Sequence, residues 1–283
     1  MSRPVSFSVT QPATAESLWH IAFYHFVALP DPDAVAARLR ELTRWLTGSI
    51  LVAPEGINGV LAGSSAALDA FQRALTRDDA LNGYFIDTVF RLSACKTAPF
   101  ARMKVHCRKA IVAFGVDGVS PASDASSVSP QAWRELIAQD DVVVLDNRNS
   151  FEYRLGKFKA AIDPKVPNFR DFPKYVETNA PAWKAQGKRV AMYCTGGIRC
   201  EKASSWMRDQ GLEVFQLEGG ILNYFQSIPD ADKDWEGECF VFDNRIALNT
   251  SLRETDTTLE QVYDGEPDGQ WRVARARRLD AES

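Results

Sequence analysis

Cys194 is the residue of this chain best placed to do chemistry. It closes a short apolar run, Val190 to Tyr193, that reads as a buried strand, and Thr195-Gly196-Gly197-Ile198-Arg199-Cys200-Glu201-Lys202 follows it. Ala203, Trp206 and Met207 then recur on one helical face. The pattern is a strand-loop-helix nucleophile site. Gly196 and Gly197 permit a tight turn with inward-pointing N–H groups, and the helix adds unpaired N–H groups and the positive end of its dipole. Arg199 adds a permanent cation. Negative charge on sulfur is favoured in such a cradle, so Cys194 is expected to be more acidic than the roughly 8.5 of a free cysteine. A lone cysteine at a strand end is usually a small buried hydrophobe. The glycine pair, Arg199 and Cys200 close behind it favour the functional reading. Cys200, on the first turn of the helix, fits two roles: a resolving thiol that attacks an oxidised Cys194, or a packing residue.

The elements that must position this loop form two groups. At 283 residues with 45% hydrophobic side chains, the chain can fill two domain cores. No run of eighteen apolar residues and no apolar signal region occurs, so neither a membrane helix nor secretion is expected and the protein reads as cytoplasmic. Five scattered cysteines argue against a disulfide framework, and no C-x-x-C pair with only three histidines leaves a metal without ligands. No metal is expected. The net charge of −4 neither recommends nor excludes a nucleic-acid partner, because placement decides.

In the first group, His20 to Leu29 reads as a strand, and a helix carrying Val35, Leu39, Leu42 and Leu46 follows. Strands over Ser49 to Ala53 and Ile57 to Ala62 flank the turn Pro54-Glu55-Gly56. A helix with Leu68, Phe71 and Leu75 inward precedes a fourth strand over Tyr84 to Leu92. The order βαββαβ predicts a ferredoxin-like (acylphosphatase-like) α+β domain, a four-stranded antiparallel sheet with two helices on one face. In the following extended segment Arg102, Lys104, His106 and Arg108, with Lys109 beyond, alternate with Met103, Val105 and Cys107. This cationic stripe is either a solvated strand face or a surface for phosphate backbone.

Gly115 to Ser129 is rich in Gly, Ser, Asp and Pro and reads as a linker. Ser129-Pro130 caps a helix with Trp133, Leu136 and Ile137, and Val142 to Asp146 is an apolar strand of the buried parallel kind. A segment with Phe169, Phe172, Tyr175 and Trp183 leads to the Cys194 strand, its helix, the strand Val214 to Leu217 and a helix after Gly219-Gly220. The alternation means a parallel sheet covered on both faces, with Cys194 at a strand's carboxyl end where such sheets place their sites. Glu238 to Asp243 reads as one more strand. The polar remainder, with a basic cluster at Arg272, Arg275, Arg277 and Arg278, is expected to be loosely held.

The second group resembles a rhodanese domain in Leu145-Asp146-Asn147-Arg148, Glu152-Tyr153, Gly156, the Cys194 loop and Leu217-Glu218-Gly219-Gly220. Together with Pro54-Glu55-Gly56-Ile57-Asn58-Gly59 and Trp235-Glu236-Gly237-Glu238-Cys239-Phe240-Val241-Phe242-Asp243, it is similar to the rhodanese-containing tRNA uridine hydroxylases over about residues 20 to 245. The resemblance implies oxygen-dependent conversion of the wobble uridine, tRNA position 34, to 5-hydroxyuridine. Cys194 would be the reactive thiol or persulfide, with Arg199 and Cys200 beside it and Asp146, Arg148 and Glu152 in support. Molecular oxygen would be a co-substrate, with no other cofactor evident, and the partner would be the tRNA anticodon loop rather than DNA or a membrane. Tyr24, Phe26 and Tyr84 are candidates for base stacking. The implied layout is an RNA-binding α+β domain over 18–114, a linker over 115–128, a catalytic α/β rhodanese-like domain over 129–230 and a partly disordered extension over 231–283. The chain departs from the family pattern in carrying no cysteine after Cys239, and from many rhodaneses in having Lys157 and Phe158 where they carry histidine. Two other functions fit the loop: a sulfurtransferase working through a Cys194 persulfide, and a non-catalytic binding module.

Overall fold

The computed structural model describes residues 18–119, 121 and 127–281, with 278–281 as backbone only. The polar arm before Leu18, residues 120 and 122–126 of the linker and the Arg278 side chain lie outside the described residues.

The first domain follows from period-two alternation. In β1 (Leu18–Phe26), Ile21 and Phe23 are buried, and they join Ile50 and Val52 of β2 (Thr47–Ala53) and Ile57 and Leu61 of β3 (Gly56–Gly63) in one core. Helices α1 (Pro32–Leu42) and α2 (Ser65–Arg77) cover that face, closing it with Leu39, Leu68, Phe71 and Leu75. Asp31 caps α1 by accepting from the Ala34 N–H at 3.0 Å, and Ser64 caps α2 by accepting from Ala67 at 3.3 Å.

Two expectations change here. The sheet has five strands, in the order β4-β1-β3-β2-β5, because the stripe segment forms β5 (Met103–Cys107) and pairs parallel with β2. The fourth strand is β4 (Val89–Cys95), later than the apolar pattern suggested. Tyr84 to Thr88 turn instead, after a 3-10 turn ending in the left-handed Asn82, and fully buried Phe85 pins that turn to the core.

The second domain is a five-stranded parallel sheet ordered β6-β11-β10-β7-β9: Ser127–Val128, Val214–Leu217, Arg189–Tyr193, Val142–Asp146 and Ala161–Ile162. Helices α3 (Pro130–Leu136), α4 (Ser150–Leu155), α5 (Phe172–Ala185), α6 (Ile198–Asp209) and α7 (Gly220–Ser227) connect and cover it. Part of the linker segment is structural. Ser127 and Val128 pair with β11, and Phe114, placed by the sequence in the first domain, instead packs in this domain's core against Phe169 and Trp206, with ring centroids 5.2 and 5.5 Å away. Phe158, which follows Lys157 in the chain, is a core ring 4.8–5.6 Å from Tyr193, Tyr224, Trp235 and Trp133.

The C-terminal extension is docked rather than loose. Trp235–Gly237 (β12) pairs antiparallel with Gly156–Phe158 (β8), and Cys239–Phe240 (β13) pairs with Ala247–Leu248 (β14), shortening the strand expected up to Asp243. Helices α8 (Leu259–Val262) and α9 (Gly269–Ala281) follow. Phe240, Val262 and Tyr263 pack on Phe151 of α4 in a small apolar cluster of their own. The basic cluster is consumed locally: Arg272 pairs with Asp268 at 2.7 Å and lies over Phe151, Arg275 lies over Trp271, and Arg277 pairs with Glu260. Apolar residues too sparse to show a period were sufficient, because α4 offered an apolar surface to cover.

Candidate active site

The Cys194 loop is held from three sides. Its carbonyls accept from the start of α7, Ile221 N–H to Cys194 at 3.0 Å and Leu222 N–H to Thr195 at 3.2 Å. From α6, the Gly197 N–H donates to Cys194 Sγ at 3.1 Å. Gly197 sits at φ +104, in the region that favours glycine, and a Cβ there would stand 2.8 Å from the Tyr24 hydroxyl. Gly219, at φ +67, has the Arg91 guanidinium 2.2 Å from the place a Cβ would take. Both glycines therefore permit side chains of the first domain to press on the loop.

Burial alone would raise the Cys194 pKa. The Cys200 thiol, the Arg199 guanidinium and the N–H groups of Cys200 and Arg199 outweigh it and bring Cys194 down to about 5. Cys194 is thus a thiolate at neutral pH, and Cys200, whose own thiol is held well above its ordinary range by burial and by that anion, donates its S–H to it. Asn147 Nδ2 donates to Cys200 Sγ at 3.7 Å. Arg199 is kept in place by a buried bidentate pair with Glu152, at 2.8 and 2.9 Å. Glu152 itself is locked by the Asn149 N–H at 3.1 Å, the capping box of α4. Beneath lies a second buried pair, Arg148 Nη2 to Asp146 Oδ2 at 2.6 Å, with the Tyr193 hydroxyl donating to Asp146 at 2.7 Å and Arg148 packed over Trp235. Burial pushes Cys239 up to about 12, so it is an ordinary packing thiol.

Above the loop is a cavity of about 530 Å³. Its other wall is the sheet face of the first domain not covered by helices: His20, Ala22 and Tyr24 of β1, Ser49 and Leu51 of β2, Asn58 and Val60 of β3, and Arg91 of β4. Phe242, Asp243 and Arg245 close one side, and Asn149, Asn168 and Arg170 another. Of the sequence candidates, Cys194, Thr195, Gly196, Ile198 and Arg199 line it. Gly197 and Cys200 sit behind the sulfur, and Asp146, Arg148 and Glu152 form the buried frame below. Tyr24 reaches the cavity and hydrogen-bonds Glu201. Phe26 packs edge-on against Tyr24, and Tyr84 stays against Phe85.

None of the stripe residues lines the cavity, yet register places two of them on its side of the sheet. Lys104 pairs with Ser49 and His106 with Leu51, both cavity-lining. Arg102, Arg108 and Lys109 are exposed along the same edge. His106 is held below its ordinary pKa by burial and by Arg108, Lys104, Arg40 and Arg102, which marks a concentrated positive field.

Residues outside the expected set complete the site. His20 is pushed down to about 4 by burial and by Arg245, against Asp243, and is therefore neutral. Glu55 pairs with Lys202 across the domains and accepts from the Ile111 N–H at 2.9 Å, while Asn58 donates to the Ile111 carbonyl at 3.2 Å. Glu55 and Asn58 belong to the Pro54–Gly59 motif, and Phe242 and Asp243 to the Trp235–Asp243 motif, so those motifs carried a signal. Arg91, a single arginine in a strand, carried none.

An acidic cysteine in a glycine-rich loop at the carboxyl end of a parallel strand, joined to an α+β sheet domain, defines a two-domain protein of the rhodanese class. Residues 129–227 match the rhodanese-like domain, and residues 19–111 match the UPF0176 acylphosphatase like domain. A protein of Nitrobacter winogradskyi named tRNA uridine(34) hydroxylase is 44% identical over 250 residues, 87% of this chain and 97% of that protein. Proteins of the same name from Jannaschia sp. and Brucella anthropi are 42% and 41% identical, covering 82% and 84% of this chain and 76% and 77% of theirs. The chain belongs to the tRNA uridine(34) hydroxylase family.

Proposed function

We propose that the chain hydroxylates uridine 34 of tRNA to 5-hydroxyuridine, with the anticodon loop presented to the cavity and Cys194 as the reacting sulfur. The observation that carries this reading is the cavity itself: a thiolate at its floor, the sheet of the first domain as its roof, and a volume in the range of small-ligand sites. An anticodon loop is single-stranded, so one base can be turned out of the stack at modest cost. The β5 edge, with Arg102, Lys104, Arg108 and Lys109, suits the phosphate backbone leading to that base. Molecular oxygen, as co-substrate, would supply the new oxygen atom, its second atom leaving as water with two protons and two electrons from an external reductant. The protein's own contribution is a sulfur kept anionic and sheltered from bulk water at the floor of the cavity.

The same N–H cradle suits a Cys194 persulfide, which is also an anion, so sulfur transfer is the second reading. Nucleoside mass spectrometry of tRNA from cells lacking the protein, complemented with wild type or Cys194→Ala, separates the two. Loss of 5-hydroxyuridine derivatives restored by wild type alone supports hydroxylation through Cys194. Persistence of those nucleosides, with thiosulfate-to-cyanide transfer by the purified protein, would replace it with sulfur transfer.

A further inference from the structure

Three arginines at or beneath the cavity are neutralised on the spot: Arg199 by Glu152, Arg148 by Asp146 and Arg245 by Asp243. Arg91 is different. It stands on β4 opposite Ala22, lines the cavity and presses on Gly219, and among the described residues no carboxylate pairs with it. A half-buried guanidinium presents a fork of donors that a phosphate can fill in bidentate fashion. On another wall, Phe242 is 61% exposed although it lines a concave site. It is braced edge-on by buried Phe240, with centroids 4.9 Å apart at 88°, and the Val241 N–H donates to the Ile246 carbonyl at 2.8 Å to close the hairpin beneath it. A braced ring with an uncovered face is what a single unstacked base covers.

We propose that Arg91 holds the phosphate, and Phe242 the base face, of the one nucleotide turned into the cavity toward Cys194. The inference rests on the hydroxylase reading and adds the two residues that select an extruded nucleotide: one on the first domain, one on the C-terminal hairpin.

The test uses the full-length protein, an unmodified substrate tRNA and the same tRNA with an abasic site at position 34. Binding is followed by fluorescence anisotropy across a salt series. Arg91→Gln should weaken both tRNAs and flatten the slope of log K against log salt by about 0.7, the value for one single-strand phosphate contact, while Arg91→Lys keeps the slope. Phe242→Ala should weaken the intact tRNA about tenfold, leave the slope alone and have no effect on the abasic one; Phe242→Tyr should bind as wild type. An unchanged slope in Arg91→Gln, with inorganic phosphate competing equally against wild type and variant, overturns the phosphate assignment. Equal losses on both tRNAs in Phe242→Ala overturn the stacking. If wild type forms 5-hydroxyuridine and these losses fail to appear, this inference alone falls; if wild type neither binds nor hydroxylates tRNA, both fall.

Discussion

At the scale of single residues, the site is a problem of stabilising one negative sulfur without water. With its pKa brought down to about 5, Cys194 is half ionised at that pH and almost wholly a thiolate a unit above it. Alkylation by iodoacetamide should therefore run at a constant rate from pH 9 to 6 and fall about tenfold per unit below 5, whereas an ordinary thiol would still be accelerating above pH 8. Cys200 is read as the S–H donor to that sulfur. Cys200→Ser keeps a donor and should leave the alkylation profile within about half a unit, while Cys200→Ala should move it upward by about one unit. If both variants moved it equally, donation would not be the reason. Arg199→Gln removes a cation and strands Glu152 in the interior without its charge partner. That should raise the Cys194 pKa by about one to two units and lower stability by about 3 kcal/mol in urea unfolding, the usual cost of breaking a buried pair.

At the scale of elements, the C-terminal extension determines how firmly the site is framed. Phe240 and Tyr263 cover Phe151, and Phe151 opens the same short helix that carries Glu152. A six-residue helix has little stability of its own, so its position comes from packing. Phe240→Ala should cost about 3 kcal/mol, in the range for a buried ring, and should loosen Glu152 and with it Arg199. The readout beyond stability is the Cys194 alkylation profile, which should shift upward if α4 transmits the change. An unaltered profile at lowered stability would confine the extension to a purely structural role. The N-cap of α3, Ser129 ahead of Pro130, was plain in the sequence because capping is a local event. The docking of α8 and α9 was not, because it depends on a surface offered by a helix more than a hundred residues earlier.

At the scale of the whole molecule, the two domains meet over a charged contact that links two sequence motifs. Lys202 of α6 pairs with Glu55 of the turn before β3, and both side chains are largely withdrawn from solvent. Glu254 of the extension accepts from the N–H groups of Lys96 and Thr97, at 2.7 and 3.2 Å, binding the extension to the first domain as well. Lys202→Met should leave Glu55 desolvated and uncompensated, and calorimetry should then resolve unfolding of the first domain ahead of the second. A single unshifted transition would show that the apolar contacts alone couple them. The exposed β5 edge acts at the same scale. Replacing Lys104 and Arg108 together by alanine should weaken tRNA binding several-fold and flatten its salt dependence; binding that is unchanged would remove that edge from the interface.

The Cys194 loop and the two fold classes were legible in the sequence, because both are written locally. An acidic cysteine needs only its loop and helix start, and alternating or helical periods appear within a dozen residues. Tertiary structure alone decided what faces that cysteine. The strand pattern of β1 says that His20, Ala22 and Tyr24 share a face, but not that this face becomes the roof of a cavity over Cys194. The fifth strand and its parallel pairing, the closeness of Arg91 and Tyr24 to two glycines, and the anchoring of the extension through Phe151 are contacts between distant segments. Their energies come from surfaces that exist only once each partner has folded.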